Sequence, residues 1–404
     1  MTQPALAARV YGSLSSLATL QPAWEELLSK FPAATIFSTA DWLLPWWRAF
    51  GADQQLKVLG FFDSTQRLVA LAPLSLSTHR VAGGMKLNLL RLMGDGSFDS
   101  DNLDMPVLPG YESAFADALL DYLETDGLAW DFCQLNTLPG DSAAACALAS
   151  GLEGRQWPHF SSQRPWAVIH LPSSWEAYLQ QLASENRNNL ERYWRRLQRR
   201  YRVDIRKCTS ERDLPDCLES LFCLHQKRWL LRGEPGTFAS SVRREFYYDL
   251  SRTLLARGRL EFWLLDLDGK TVAAQFCFRY RDTVFLLQEG FDPDHAADRV
   301  GFVLRGHVLR QLIEGGVRHY DFLFGESPGK NRWAPQLQHY RDIQFAKPFG
   351  KGSLYLKLSH RAADSKESLR AHLPRVFAFL HRMNIRLRGI RDPERATPQK
   401  KIPE

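Results

Sequence analysis

Two carboxylates and one glycine flanked by arginines stand close together in the second half of this 404-residue chain. Glu289 closes a run that reads as a strand, Thr283 to Gly290 (TVFLLQEG), and Asp321 lies in a short apolar run, His319 to Phe324 (HYDFLF). Carboxylates on neighbouring strands suit proton transfer, one of them acting as base toward an amine or hydroxyl. Between them, Arg299-Val300-Gly301-Phe302 opens a stretch with apolar residues near helical spacing, and Arg305 follows one turn later. A helix start exposes unpaired N–H groups and the positive end of its dipole, so it attracts a phosphate. Gly301 would let the anion approach the backbone, and Arg299 and Arg305 would add charge. The bland alternatives are a loop with one glycine and two solvated arginines, Asp321 bracing Lys330 or a turn, and Glu289 paired with an arginine.

The elements that must position these residues are legible around them. Leu260 to Asp266 and Thr271 to Tyr280 read as two strands joined at Asp268-Gly269, a hairpin signal, and Arg281-Asp282 turns into the strand ending at Glu289. The helix from Phe302 stops at Gly315-Gly316. Upstream, Ser173-Ser174-Trp175-Glu176 reads as a capping box for one long helix reaching Tyr201. Its buried face holds Tyr178, Leu190, Trp194 and Leu197, and its other face carries a row of arginines from Arg187 to Arg200 that suits an anionic partner or simply faces water. Pro215 to Trp229 is a further helix, and the loop Leu230 to Thr237 after it is placed to fold over a cleft. His225 on that helix is a candidate base, although a single histidine beside a packed helix is more often structural.

The first half echoes the second. LGFFDSTQRLVALAPLSLS follows the pattern of WLLDLDGKTVAAQFCFRY, and GLAWDFCQLNTLPG that of GVRHYDFLFGESPG, so the chain reads as two copies of one domain. The first copy lacks an arginine-flanked glycine before its helix, which assigns donor binding to the second. Trp42, Trp46 and Trp47 form an aromatic stripe that reads as core in preference to a sugar platform. The acidic loop Gly94 to Asp104 lacks the twelfth-position glutamate of a calcium loop and reads as a solvated loop or the wall of an acceptor site.

The order of strands, the glycine-opened helix and the Gly-x-x-x-Tyr-Asp-Phe strand (Gly316, Tyr320, Asp321, Phe322), followed by Gly325, Lys330 and Trp333, resembles the GNAT acyltransferase superfamily. In particular it resembles the branch described as cellulose-biosynthesis or biotin-synthase-like acetyltransferases, related to the Fem peptidoglycan aminoacyl transferases. It covers Pro172 to Lys347. The superfamily's fuller phosphate loop is Arg/Gln-x-x-Gly-x-Gly/Ala, and here only Arg299 and Gly301 stand near it. The resemblance implies an α/β (α+β) fold of two tandem GNAT-like domains, each a mixed twisted sheet flanked by helices. The first would span residues 1–150 with a degenerate donor site, 151–171 would be a linker, 172–358 the acyltransferase domain, and 359–404 a basic helical tail. It implies acetyl-CoA or another acyl-CoA as donor and no metal. Its phosphates would lie over Arg299, Val300, Gly301, Phe302 and Arg305, and strand N–H groups from Gln288 to Gly290 would face the thioester oxyanion. Glu289 and Asp321, facing the gap where their strands splay, would supply the chemistry. Arg187, Asn188, His225, Trp229, Lys330 and Trp333 would contact the acceptor, a sugar or amine in cell-envelope or exopolysaccharide assembly.

Two other readings stay open. A Fem-like enzyme would take its acyl group from charged tRNA, although such proteins usually insert a long helical hairpin that is not evident here. A non-catalytic module would bind a polysaccharide synthase or a membrane surface through the basic tail, where Leu373 to Leu387 alternates apolar residues with arginines. Bulk properties bound these choices only loosely. A net charge of +7 favours anionic partners. Six cysteines without a CxxC pair suggest reduced thiols, and with no long apolar run at the N-terminus the chain is expected in the cytoplasm.

Overall fold

A computed structural model describes residues 5–372, apart from 82–83, 126–127 and 232, with side chains as far as residue 361. In chain order the elements are β1 (Ala7–Tyr11), α1 (Leu14–Lys30), α2 (Ala40–Phe50), β2 (Gln55–Phe62), β3 (Leu68–Arg80), β4 (Lys86–Leu92), α3 (Glu112–Thr125), β5 (Phe132–Pro139) and α4 (Ala143–Gly154). There follow β6 (His159–His170), α5 (Trp175–Gln181), α6 (Ser184–Arg200), β7 (Val203–Lys207), α7 (Leu214–Leu230), α8 (Ser241–Ala256), β8 (Leu260–Leu267), β9 (Lys270–Tyr280), β10 (Thr283–Phe291) and α9 (Val300–Glu314). The last are β11 (His319–Phe324), α10 (Pro328–Asn331), β12 (Gln336–Ala346) and α11 (Lys351–His372).

All twelve strands join one mixed sheet in the order β1-β2-β3-β4-β5-β12-β6-β11-β10-β9-β8-β7. The order is symmetric about its centre. Each half runs three antiparallel neighbours, then a parallel step through a crossover helix (β4 to β5 over α3, β10 to β11 over α9), then one more strand. That last strand is exchanged. β12, from the end of the chain, pairs with β5 of the first half, and β6, which follows the first half, pairs with β11 of the second. β6 and β12 also pair with each other over ten residues, from Gln336↔Val168 to Phe345↔His159. The repeated segments do become repeated strands, but the halves are fused through this exchange.

Local chemistry explains the edges of the site elements. Asp268 (φ 51°) and Gly269 (φ 85°) both take positive φ, the two-residue turn that matches strand twist between β8 and β9. At the far end of α9, Gly316 (φ 74°) closes the helix. Its N–H donates to Ile313 O at 3.0 Å, and Val317 N–H reaches back to Leu312 O at 2.9 Å.

Several expectations are corrected. Residues 151–171 are no linker: they end α4 and form β6, a central strand whose polar residues sit between two partners. The long helix breaks into α5 and α6 at Leu182–Ala183, and the cap is Ser174, accepting from Ala177 N–H, with no reciprocal bond from Glu176. Ser353 to Leu358 is helical, inside α11. The segment Leu373 to Leu387 lies outside the described residues. Trp42 and Trp46 are core, and their indole N–H groups donate to Ser100 and Ser97 of the loop Gly94 to Asp104, each at 2.9 Å. Of the six cysteines, all free, Cys146 and Cys223 are exposed and the other four are buried. No helix among the described residues is long and apolar enough to cross a membrane.

Candidate functional site

β10 and β11 pair in parallel only through Thr283↔His319, Val284↔Tyr320 and Phe285↔Asp321. Beyond that point they part. Leu287 is an extra residue in β10, since Leu286 faces Cys277 and Gln288 faces Phe276 on β9, and such a bulge bends the strand away. β11 has its own irregularity between Asp321 and Phe324, with Leu323 held at φ 57°. The result is an unpaired wedge between the two strands, bordered on β10 by Gln288, Glu289 and Gly290.

α7 closes one side of this wedge. A Cβ on Gly290 would stand 2.8 Å from His225 N and 2.9 Å from Leu224 Cβ, so only glycine lets the helix rest on the strand. His225 is buried there, against the Phe238 ring at 4.9 Å. Trp229 Nε1 donates to His225 Nε2 at 2.9 Å. An indole N–H can only donate, so Nε2 keeps its lone pair and the neutral ring carries its proton on Nδ1, which has no partner. Burial first, then Arg228 and Arg243, pushes the His225 pKa down to about 4. His225 is thus a hydrogen-bond donor at neutral pH and not the base the sequence allowed for.

At the start of α9, Arg299 occupies the cap position with φ 55°, and its side chain makes no capping bond to the first N–H groups of the helix. The first turn holds no acidic residue. The buried Asp298 just before it is neutralised by Arg200 at 2.5 Å, Arg196 at 3.3 Å and the Tyr201 hydroxyl at 3.2 Å. Beside this helix start lies a cavity of ≈ 630 Å³ lined by Arg192, Tyr193, Arg196, Ala296, Ala297 and Arg299. A Cβ on Gly301 would meet only Phe291, at 3.7 Å, an ordinary contact, so the packing does not require glycine there.

Arg305 does not line that cavity. Its guanidinium pairs with Glu289 and lies over the rings of Phe322 and Trp333, at 5.2 and 5.6 Å. Burial raises the Glu289 pKa, but the charges of Arg305 and Arg228 and the bonds from Arg305 and Gln275 outweigh it and hold it below the usual range. Phe302 packs on Trp333 at 4.7 Å, which places both in the α9 core.

Asp321 turns to the other face of the sheet. Its Oδ1 accepts Leu323 N–H at 2.7 Å, and its Oδ2 accepts from Asn102 Nδ2 at 3.4 Å. Asn102 also donates to the Tyr340 hydroxyl at 3.2 Å, and Tyr340 stacks on Trp166 at 4.1 Å. Neighbouring Asp101 accepts Phe324 N–H at 3.0 Å. Burial pushes Asp321 up to about 7, against the Leu323 bond and with the Asp101 charge adding to it, and burial likewise lifts Asp101 to about 6. The acidic loop is therefore no solvated excursion: it is built into the seam between the halves. Asp99 continues the seam, pairing with Arg243 at 2.9 Å and accepting from the Tyr247 hydroxyl at 3.1 Å.

Lys330 is also structural. Its ammonium donates to the carbonyls of Leu323, Phe324 and Gly325 at 3.2, 2.7 and 2.9 Å, fastening the end of β11. Trp333 is buried, and its carbonyl accepts from Tyr178 at 3.0 Å. Arg187 and Asn188 are exposed and line a different cleft, on the outer side of α9. The partners of Asn102, Asp101 and Arg243 and the contact of α7 with Gly290 were not legible in the sequence, because each pairing spans more than sixty residues.

Residues 184–331 match the acetyltransferase (GNAT) domain family. The chain is an acyltransferase. The match runs from α6 to α10 and contains both the wedge and the start of α9. Among solved structures, FemX shares 10% identity at a TM-score of 0.58, covering 81% of this chain and 96% of its own. A conserved protein of unknown function from Bacteroides thetaiotaomicron shares 11% identity at a TM-score of 0.52, covering 84% of this chain and 100% of its own. These likenesses concern the fold. No curated protein matches the chain.

Proposed function

We propose that this acyltransferase takes its acyl group from a coenzyme A thioester. The pyrophosphate would rest on the N–H groups of Val300 and Gly301 with Arg299, Arg192 and Arg196 around it, and the thioester arm would enter the wedge between β10 and β11. One observation carries the reading: β10 parts from β11 after Phe285, and the chain then leads into an uncapped, acid-free helix start at Val300. The acceptor is proposed to be an amine or hydroxyl on a sugar or similar molecule, handled in the cytoplasm during cell-envelope or exopolysaccharide assembly.

The acceptor attacks the thioester carbon, the oxyanion is met by the β10 backbone near Gln288, and collapse breaks the C–S bond. The proton lost by the acceptor goes to a carboxylate. Asp321 suits this better than Glu289, since its pKa of about 7 matches a base working near neutrality, while Glu289 is held by Arg305. The thiolate leaving group takes a proton from solvent.

The arginine row on α6 favours one alternative donor. Arg192, Arg195, Arg196 and Arg199 line a shallow cleft of ≈ 600 Å³, a cluster of positive charge that suits several phosphates, as a charged tRNA would present. Thiol release distinguishes the two. With acetyl-CoA and a panel of amino sugars, the coenzyme A reading expects acceptor-dependent appearance of free thiol. Transfer seen only with charged tRNA would replace it.

A further inference from the structure

A second cleft, with no lining residue in common with the basic cavity at the start of α9, lies between α5–α6 and the outer face of α9. Its volume is ≈ 710 Å³, within the range of small-molecule sites. The floor is apolar, formed by Leu179, Leu190 and Val303 around Gly306. Gly306 sets how closely α6 and α9 meet there: a Cβ on it would stand 2.5 Å from Leu190 Cδ2. The indoles of Trp175 and Trp194 flank the floor and are held by neighbours, Trp175 by the Tyr178 ring at 5.6 Å and Trp194 by His307 at 6.5 Å.

The exposed rim carries charge that is unevenly compensated. Arg310 is paired with Glu314 at 2.9 Å, and Glu191 is paired with Arg195. Burial, then Arg310, pushes His307 down, so its ring adds no charge at neutral pH. Arg187 has no carboxylate partner among the described residues, and the exposed Asn188 amide stands next to it. An apolar, indole-flanked floor beneath one uncompensated guanidinium fits a molecule with an apolar body and a single negative charge.

We infer that this cleft binds a small amphipathic carboxylate, its aliphatic or aryl body on the floor and its carboxylate on Arg187 and Asn188.

The test is isothermal titration of the full chain with sodium decanoate, sodium hexanoate and decan-1-ol, none of which involves the thioester site. Each buried methylene strengthens binding roughly fourfold, so decanoate should exceed hexanoate by on the order of 100-fold. Arg187→Glu, a change at an exposed position that leaves the fold intact, should weaken decanoate at least about tenfold and leave decan-1-ol unchanged. Absence of decanoate binding, equal affinity for the two acids, or unaltered decanoate affinity in Arg187→Glu would overturn the assignment.

Discussion

Glu289 and Asp321 stand on neighbouring strands yet turn to opposite faces of the sheet, Glu289 to Arg305 of α9 and Asp321 to Asn102 of the first half. Their strands pair at Phe285↔Asp321, and the extra residue Leu287 then shifts the alternation of β10 by one. The two carboxyls are therefore not a dyad, and their environments drive their acidities apart. Glu289 is held ionised by two arginines, and Asp321 is lifted by burial in a seam that only the fused halves create.

This separation predicts different responses to amide substitution. Asp321→Asn should lower kcat by about 10²- to 10⁴-fold, the usual worth of a positioned base. Because the ionised form accepts the proton, kcat/KM of the wild type should fall as pH drops below about 7, and that limb should vanish from the residual activity of the variant. Glu289→Gln should keep the limb. A wild-type profile flat from acid to neutral pH, with Asp321→Asn fully active, would remove Asp321 from the chemistry.

Gly290 makes a second prediction, one of packing. Alanine there meets the His225 backbone at 2.8 Å, and a backbone atom yields only if α7 lifts from β10. Gly290→Ala should cost about 1–3 kcal/mol in a denaturant titration, as overpacked cores do. Gly301→Ala, whose nearest neighbour is at 3.7 Å, should change stability by less than about 0.5 kcal/mol. Equal effects of the two alanines would contradict the described contact of α7 with β10.

Stability should also report the buried acid Asp104. Its Oδ1 accepts from Ser142 Oγ at 2.7 Å and Met105 N at 2.8 Å, and its Oδ2 has no partner. Burial pushes it up from 3.8 to about 7. Between those values the folded state holds a proton that the unfolded chain has released. Its contribution is complete below pH 3.8 and is lost as pH rises through about 7, a swing on the order of 4 kcal/mol. Asp104→Asn removes this dependence, so the variant should gain Tm relative to wild type as pH rises from 4 to 8. A difference in Tm that does not move with pH would show that Asp104 ionises normally.

The sequence made the local parts of this fold readable, and distance decided what it hid. The β8–β9 hairpin at Asp268-Gly269, the stop of α9 at Gly316 and the core placement of Trp42 and Trp46 rest on propensity and periodicity over a few residues. The repeat between the halves was visible as well, but the strand exchange was not. Pro165 and the polar run around it make β6 look like a linker until β11 and β12 supply partners on both sides. Arg299 and Gly301 stand at the start of α9 as read, because a helix start has a signature. Arg305 and Lys330 were misassigned because charge alone does not say whether a side chain meets a ligand, a carboxylate or three carbonyls. The seam of Asp99, Asp101 and Asn102 was beyond reach, since its meaning lies in residues of the other half.

The most direct measurement is calorimetric titration of the wild type and Gly301→Glu with acetyl-CoA and free coenzyme A. A carboxylate at the second residue of α9 would oppose a pyrophosphate at the positive end of the helix, while the fold has room for the side chain next to Phe291. The expected result is binding at about micromolar Kd, near −8 kcal/mol, to the wild type and none to the variant, with both equally folded. No binding of either ligand to the folded wild type, or equal binding to both proteins, would contradict a coenzyme A thioester seated at the start of α9.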